Sequence, residues 1–282
     1  MKIIKNKLRP FIVFFLDDVR ITRISFAYFK MKYYIWIKRH FYKKEFEPLK
    51  SFKNAYRGKR IFMVATGPSL TIEDVDKLKG EYTFGINSVI KLYDKTDWRP
   101  TFYGICDGSV YSRIKDDLNN LITNEIAFYN HFGIKWDYKN AHPVPTRATW
   151  CTNEDLKALH LKPSTPYGET SGDITKYVYA GSNVVHFCMQ ICFYMGFSEI
   201  YLLGTDCTDT TKHSTFATYA NSSVRENDPV DVHNWMLADY ASDKKYAEAH
   251  GIRIYNATRG GDLELFERVD LDTIVGNKDN NK

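Results

Sequence analysis

The feature that most constrains this chain is a series of short apolar runs, each of which stops at small or polar residues. They are Ile61–Ala65 before Thr66-Gly67-Pro68-Ser69, Tyr82–Ile86 before Asn87, Thr101–Cys106 before Asp107, Ile126–Tyr129 before Asn130-His131, Ile200–Leu203 before Gly204-Thr205-Asp206, and Ile252–Tyr255 before Asn256. Strands covered on both faces are continuously apolar, and parallel strands need crossovers that are usually helical. Helical stretches do separate the runs. Thr71 and Asp74 open one as a capping box does. Ser182 precedes another, from Asn183 to Met195, which is apolar nearly all round and stops at Gly196. A third, Ala-rich and polar, runs from Trp235 to His250. The pattern predicts an α/β, Rossmann-like fold: a mostly parallel sheet with helices on both faces.

In such a sheet the ligand crevice lies beyond the carboxyl ends of the strands, which gathers Thr66, Asn87, Asp107, Asp206 and Asn256 on one rim. Taken singly, Asn, Asp and Gly also simply favour turns. The turn Gly67-Pro68-Ser69 lets backbone amides and a helix N-terminus approach a phosphate. It has neither the spacing and Lys of a P-loop nor a GxGxxG pattern, which disfavours both ATP-type and nicotinamide fingerprints.

The net charge of +5 hides a division: residues 1 to 60 hold 17 Lys and Arg against 4 Asp and Glu, a net +13, which leaves −8 on the remainder. In the basic part the charges alternate with Phe11, Phe14, Phe15, Phe26, Tyr28, Phe29, Tyr33, Tyr34, Ile35, Trp36 and Phe41. Basic and aromatic residues so mixed suit an anionic membrane surface better than nucleic acid. The bland alternative packs this arm on its own domain or on a sister subunit of a homo-oligomer. We divide the chain into a basic aromatic helical arm, 1–54, and a globular domain, 55–282. The apolar run Phe11–Leu16 is too short to span a bilayer and is stopped by Asp17 and Asp18. No secretory signal is legible. Five cysteines without paired CxxC spacing point to neither a disulfide framework nor a zinc site. The expected location is cytoplasmic, peripheral to the inner face of the cell membrane.

The segments ATGPSL (65–70), FGINSV (84–89), GSNVVHFCMQICFYMGFSEIYLLGTD (181–206) and YNATRGG (255–261) resemble one lineage. They are similar to the bacterial MptE-like family (domain of unknown function 115), which is related to bacterial sialyltransferases with a GPSL turn. The resemblance covers roughly residues 58 to 275. It implies a GT-A-variant-like domain that binds a nucleotide sugar and transfers the sugar to a glycan or lipid-linked acceptor in surface polysaccharide synthesis. Position by position, it places Thr66, Gly67, Pro68, Ser69, Asn87 and Asp107 in the nucleotide pocket, completed by Ser182, Gly204 and Asp206. The chain departs from the sialyltransferases at Thr66 and Asp107, where they carry Asn, and acid at Asp107 argues against CMP-sialic acid as the specific donor.

Sugar transfer needs a base for the acceptor hydroxyl and a partner for the departing phosphate. The resemblance places a catalytic His after the GxD strand, where this chain offers His233, slightly favoured, and His213. Tyr219, Arg225 and Arg259 are the expected phosphate or acceptor partners. Asp206 and Asp209 are spaced DxxD, not DxD, and the resemblance implies metal-independent transfer without a cofactor; Mg or Mn at this pair is the lesser reading. The lineage also contains a 6-hydroxymethylpterin pyrophosphokinase, so ATP-dependent diphosphate transfer is one alternative, and a non-catalytic nucleotide-binding scaffold is another.

Overall fold

The structure, a computed structural model, describes residues 43–131, 133–147, 168–208 and 229–276. Eight strands form one sheet: β1 (Arg60–Val64), β2 (Thr83–Ile86), β3 (Phe102–Ile105), β4 (Ile126–Asn130), β5 (Ala141–Val144), β8 (Glu199–Leu203), β9 (Arg253–Asn256) and β10 (Glu267–Arg268). Their order is β10-β9-β8-β1-β2-β3-β4-β5, and every pairing is parallel. A separate parallel pair, β6 (Thr146–Arg147) and β7 (Val178–Tyr179), stands just beyond β5.

The interiors of the central strands, β1 to β4 and β8, are buried on both faces, as a parallel sheet between helices requires. On one face Ile61, Met63, Phe84, Phe102, Phe128, Ile200 and Leu202 meet helices α3 (Val184–Met195) and α4 (Pro229–Ala249). On the other, Phe62, Val64, Tyr103, Ile105, Tyr201 and Leu203 lie under α1 (Ile72–Asp76), α2 (Gly108–Leu121) and α5 (Leu271–Gly276). Each large apolar side chain so buried contributes about 1.5–3 kcal/mol. Helix α3 is buried from Val185 to Met195. It sits close to β3 because Gly104 has no side chain: a Cβ there would lie 2.9 Å from Phe84 Cε1 and collide with Cys188 Sγ.

Several sequence expectations are corrected. The sheet is parallel, as expected, but it has two strands beyond those read from the sequence, the two-residue β10 and β5, whose His142 and Pro143 made AHPV unlike a strand; Pro is tolerated because β5 is an edge. Helix α4 begins at Pro229, not near Trp235, since proline's fixed φ and missing N–H suit a first helical position. The boundary drawn at 54/55 cuts through packed structure. The helical turn Lys43–Phe46 and the 3-10 turn Glu47–Phe52 bury Phe46, Leu49 and Phe52 in the core. Asn54 and Tyr56 donate their amides to the carbonyls of Tyr194 and Met195 at the end of α3. The density of lysines there concealed an apolar residue at every third position. Residues 1–42 lie outside the described residues. Among those described, no helix is long and apolar enough to cross a membrane.

Candidate functional site

From β1 the chain steps outward through β2 to β5, whereas β8, β9 and β10 extend from the other side of β1. The connections therefore part between β1 and β8, the topological switch point at which open α/β sheets bind ligands. Past the strand ends the ladder continues: the Ala65 amide donates to the Leu203 carbonyl at 2.9 Å, and the Gly67 amide to the Gly204 carbonyl at 2.7 Å. Thr66, Gly67, Pro68 and Ser69 are thereby laid beside Gly204, Thr205 and Asp206.

Asp206 is the hub of this crevice. It is 6% exposed, and its Oδ2 accepts the Ser69 hydroxyl at 2.9 Å. Its carbonyl accepts the amide of Asp262 at 2.7 Å, which ties in the loop after β9. Two glycines permit the approach. A Cβ on Gly67 would lie 2.7 Å from Asp206 Cγ and nearer still to Oδ2 and the Gly204 carbonyl. Gly261 has φ +78°, and a Cβ there would lie 2.6 Å from the Asp206 carbonyl carbon.

Arg268 holds the same loop from behind. Its guanidinium donates to the carbonyls of Thr258, Gly260 and Gly261 at 3.2, 3.1 and 2.9 Å, and to Glu264 at 2.7 Å. The hydrogen bond to Glu264 is the main reason its pKa is raised. With these carbonyls turned toward Arg268, the amide dipoles at Arg259 and Gly261 point the other way. Among the described residues, the amides of Thr66, Ser69 and Gly261 take up no hydrogen bond with one another or with a side chain. Two polar side-chain atoms near the strand ends, Asn87 Oδ1 and Thr205 Oγ1, are buried without a hydrogen bond among the described residues. Asn87 also has φ +48°, and its carbonyl accepts the Tyr103 hydroxyl.

The remaining expected residues divide. Asp107 caps α2, its Oδ1 accepting the amides of Ser109 at 2.7 Å and Val110 at 3.3 Å. Asn256 is fully buried and holds the loop after β9 through the Thr258 amide at 3.0 Å and the Leu263 carbonyl at 2.8 Å. Arg259 forks onto Asp74, Nη2 lying 2.6 Å and Nε 3.0 Å from Oδ1, and that bond is the first cause of its raised pKa. This guanidinium is committed to α1. Helix α1 has only 5 residues, and its start is closed by the Thr71–Asp74 capping box, so the anion-holding capacity of this turn rests in its glycine and loop amides, not in a helix dipole.

Ser182 lies at the same edge, because α3 leads into β8 and so points its first turn at the strands' carboxyl ends; the helix cap itself is Asn183, which accepts the His186 amide at 2.9 Å. His233 lies in the second turn of α4, its Nδ1 4.0 Å from Cys207 Sγ, one residue past Asp206. Burial and then the Asp262 carboxylate push the Cys207 thiol up to about 11, which keeps it a thiol at neutral pH. His213, Tyr219, Arg225 and Asp209 lie outside the described residues. Among those described, no group of three or more His, Cys, Asp and Glu side chains could hold a metal.

Sequence reasoning missed Arg268, Asp262 and the polar seam between α3 and α4 (His186, Gln190, Asp239, Asp243). For the seam a signal existed: Asp239, Asp243 and Ala247 recur every four residues and share one helix face. For Arg268 none did, since its partners are backbone carbonyls.

The fold and crevice define a Rossmann-like α/β protein with its candidate ligand site at the switch point. Residues 36–212, more than half of the chain, match the family described as 6-hydroxymethylpterin diphosphokinase MptE-like, and the chain belongs to that family. No curated protein matches. Among solved structures it is similar to the MAf glycosyltransferase from Magnetospirillum magneticum AMB-1, with 12% identity and a TM-score of 0.46. The match covers 82% of this chain and 38% of that one, so this chain spans well under half of its length.

Proposed function

We propose that this MptE-like protein is a glycosyltransferase that moves a sugar from a CMP- or UDP-linked donor to a surface glycan or lipid-linked acceptor. The observation that carries the reading is the β1–β8 crevice, where Gly67, Gly204 and Gly261 let three loops pack closely around Asp206 and leave the amides of Thr66, Ser69 and Gly261 without a hydrogen bond among the described residues, while Arg268 draws carbonyls to the far side. Amides so directed suit a phosphate. The sequence likeness to GPSL-turn sialyltransferases supplies the sugar, and the position of His233 beside the exit of β8 supports a base there. His213 is the other candidate. The basic aromatic arm supports peripheral attachment to an anionic membrane near a lipid-linked acceptor.

The family's description favours a second reading, diphosphate transfer from ATP to a hydroxymethyl pterin. A thermal-shift screen against CMP, UDP, GDP and ATP separates the two, because a ligand that binds the folded form raises apparent stability. A CMP or UDP response is expected; a response to ATP alone overturns the glycosyltransferase reading. His233→Ala and His213→Ala, made singly, test the base. Donor turnover and acceptor transfer unchanged in both variants refute a histidine in that role.

A further inference from the structure

Between α3 and α4 lies a cluster of ionisable side chains that the crevice itself does not use. His186, Asp239 and Asp243 are each 0% exposed. His186 Nδ1 is 2.8 Å from Asp243 Oδ2, and Asp243 Oδ1 accepts the Thr170 hydroxyl at 2.8 Å. Asp239 Oδ1 accepts the Gly168 amide at 3.0 Å; its Oδ2 accepts both the amide and the hydroxyl of Ser182, at 2.6 and 2.7 Å. Gln190 adds a bond from the Ser171 amide at 3.0 Å. Gly181, at φ +61°, leaves the space: a Cβ there would lie 2.7 Å from Asp239 Oδ2 and collide with the His186 ring. Two stretches of irregular backbone, 168–171 and 180–182, are thus fastened to two helices by buried side chains.

Two buried carboxylates need compensation, since an uncompensated charge out of water is costly. No Lys or Arg makes any of the hydrogen bonds just described, and among the described residues the cation that bonds either carboxylate is the imidazolium of His186. We propose that His186, protonated against Asp243, is the positioning residue that holds the Ser182 turn and the 168–171 segment against the donor crevice, and that loss of its proton releases them and weakens nucleotide binding. The proposal rests on the reading of the crevice as a donor site.

The electrostatics agree with this geometry. Burial alone would lower the His186 pKa, but Asp243 and then Asp239 outweigh it and hold it above the ordinary 6.5. Burial pushes the Asp243 carboxyl up, against the pull of His186 and Thr170. The other groups facing the cluster are the Tyr240 hydroxyl on α4, held far up by burial with Cys207, Asp243 and Asp239 adding to it, and Glu169, whose backbone lies next to the imidazole and whose carboxylate bonds Tyr179. A histidine with a raised folded pKa binds its proton more tightly when folded. Its contribution is complete below about 6.5 and disappears as pH rises through the folded value, so the latch holds below that value and lets go above it.

Histidine-selective NMR of the full chain, combined with CMP and UDP calorimetry across pH, tests this. We expect a His186 midpoint above 6.5 and nucleotide affinity that falls by up to about tenfold per pH unit beyond it. His186→Gln, which keeps a donor without titrating, should bind with an affinity independent of pH over that range. If that variant does not fold, Thr170→Val loosens the same segment and should weaken nucleotide binding while His186 still titrates. A His186 midpoint below 6.5, or wild-type affinity constant through the titration, overturns the proposal. If no nucleotide binds at any pH, the donor-site reading fails instead. The latch then stands or falls on hydrogen exchange at 168–171 and 180–182, whose protection, corrected for base catalysis, must be lost as His186 deprotonates.

Discussion

Replacing Gly67 by alanine probes the crevice most directly, because the position has no alternative use for a side chain. Gly67 does not need the left-handed backbone region; it needs space, since the new methyl would lie 2.7 Å from Asp206 Cγ and closer still to Oδ2 and to the Gly204 carbonyl. Backbone cannot yield cheaply there, because the Gly67 amide donates to that same carbonyl. Overpacking of this kind costs about 1–3 kcal/mol, and displacing Asp206 also forfeits the Ser69 bond, worth about 1.5–3 kcal/mol for a charged acceptor, so we expect a loss of roughly 3–5 kcal/mol. In a domain of this size that is roughly 6–20 °C of melting temperature. Denaturant unfolding should show a lower midpoint with unchanged slope, and the stabilisation by CMP or UDP should vanish. Adding Asp206→Ala removes one of the two obstacles, so the double variant should regain on the order of 1–2 kcal/mol relative to additivity. Gly67→Ala within about 0.5 kcal/mol of the parent, with nucleotide response intact, would refute the assignment of this crevice.

Arg259→Ala leaves the Asp74 carboxylate, 4% exposed, without its fork; discounted for the 44% exposure of Arg259, the expected loss is about 1–2 kcal/mol, read by urea unfolding. Thr205→Val deletes a buried hydroxyl with no hydrogen bond among the described residues, so apo stability should hold or rise by about 1 kcal/mol while nucleotide affinity falls; equal affinity would show that the hydroxyl serves no ligand. Arg268→Met frees the carbonyls of Thr258, Gly260 and Gly261, and should weaken nucleotide binding about tenfold or more by calorimetry with little change in the circular dichroism of the sheet. His142, half-buried beside Phe52 and Phe128, has its pKa lowered by desolvation. Its contribution is therefore complete above about 6.5 and is lost as pH falls through the folded value, so His142→Gln should flatten the acid limb of the stability profile.

The strand ends were legible because a doubly covered parallel strand has no polar face: the apolar run simply stops where the sheet does, as at Val64 and Leu203. The glycine turn and the convergence of Gly67, Gly204 and Asp206 followed from that pattern with the family likeness. What stayed hidden was of two kinds. Some polar residues at strand ends turned out to serve the fold, Asp107 as a helix cap and Arg259 as the partner of Asp74, and neither role differs in sequence from a ligand contact. Other residues sit where composition misleads. Asp239 and Asp243 belong to a helix polar in composition, yet both are buried, and the lysines around Phe46, Leu49 and Phe52 masked three core residues. Burial of a polar side chain depends on partners supplied by distant segments, here Gly168, Thr170, Ser182 and His186, and no local periodicity encodes those.

The charge arrangement also constrains how an anion could be held. Asp206 and Asp262 both act at the crevice, and a carboxylate repels a phosphate brought near it. A donor phosphate near these carboxylates must therefore be held by groups that outweigh them. Arg259 is committed to Asp74, and Arg268 faces the carbonyl side of the loop after β9. Loop amides are then the donors closest to hand, and their strength depends on how rigidly they are aimed. That gives Asp206 a role consistent with its burial: its carbonyl fixes Asp262, its carboxylate fixes Ser69, and the Ser69 amide is thereby held on the same side as the loop after β9, which carries the Gly261 amide. On this account an Asp206→Asn variant should retain the carbonyl bond and much of the fold. It should also bind nucleotide more tightly at low salt than the parent, because the repulsion is removed while the backbone donors remain. Weaker binding by Asp206→Asn, with Ser69 still positioned, would mean that the carboxylate itself contacts the ligand.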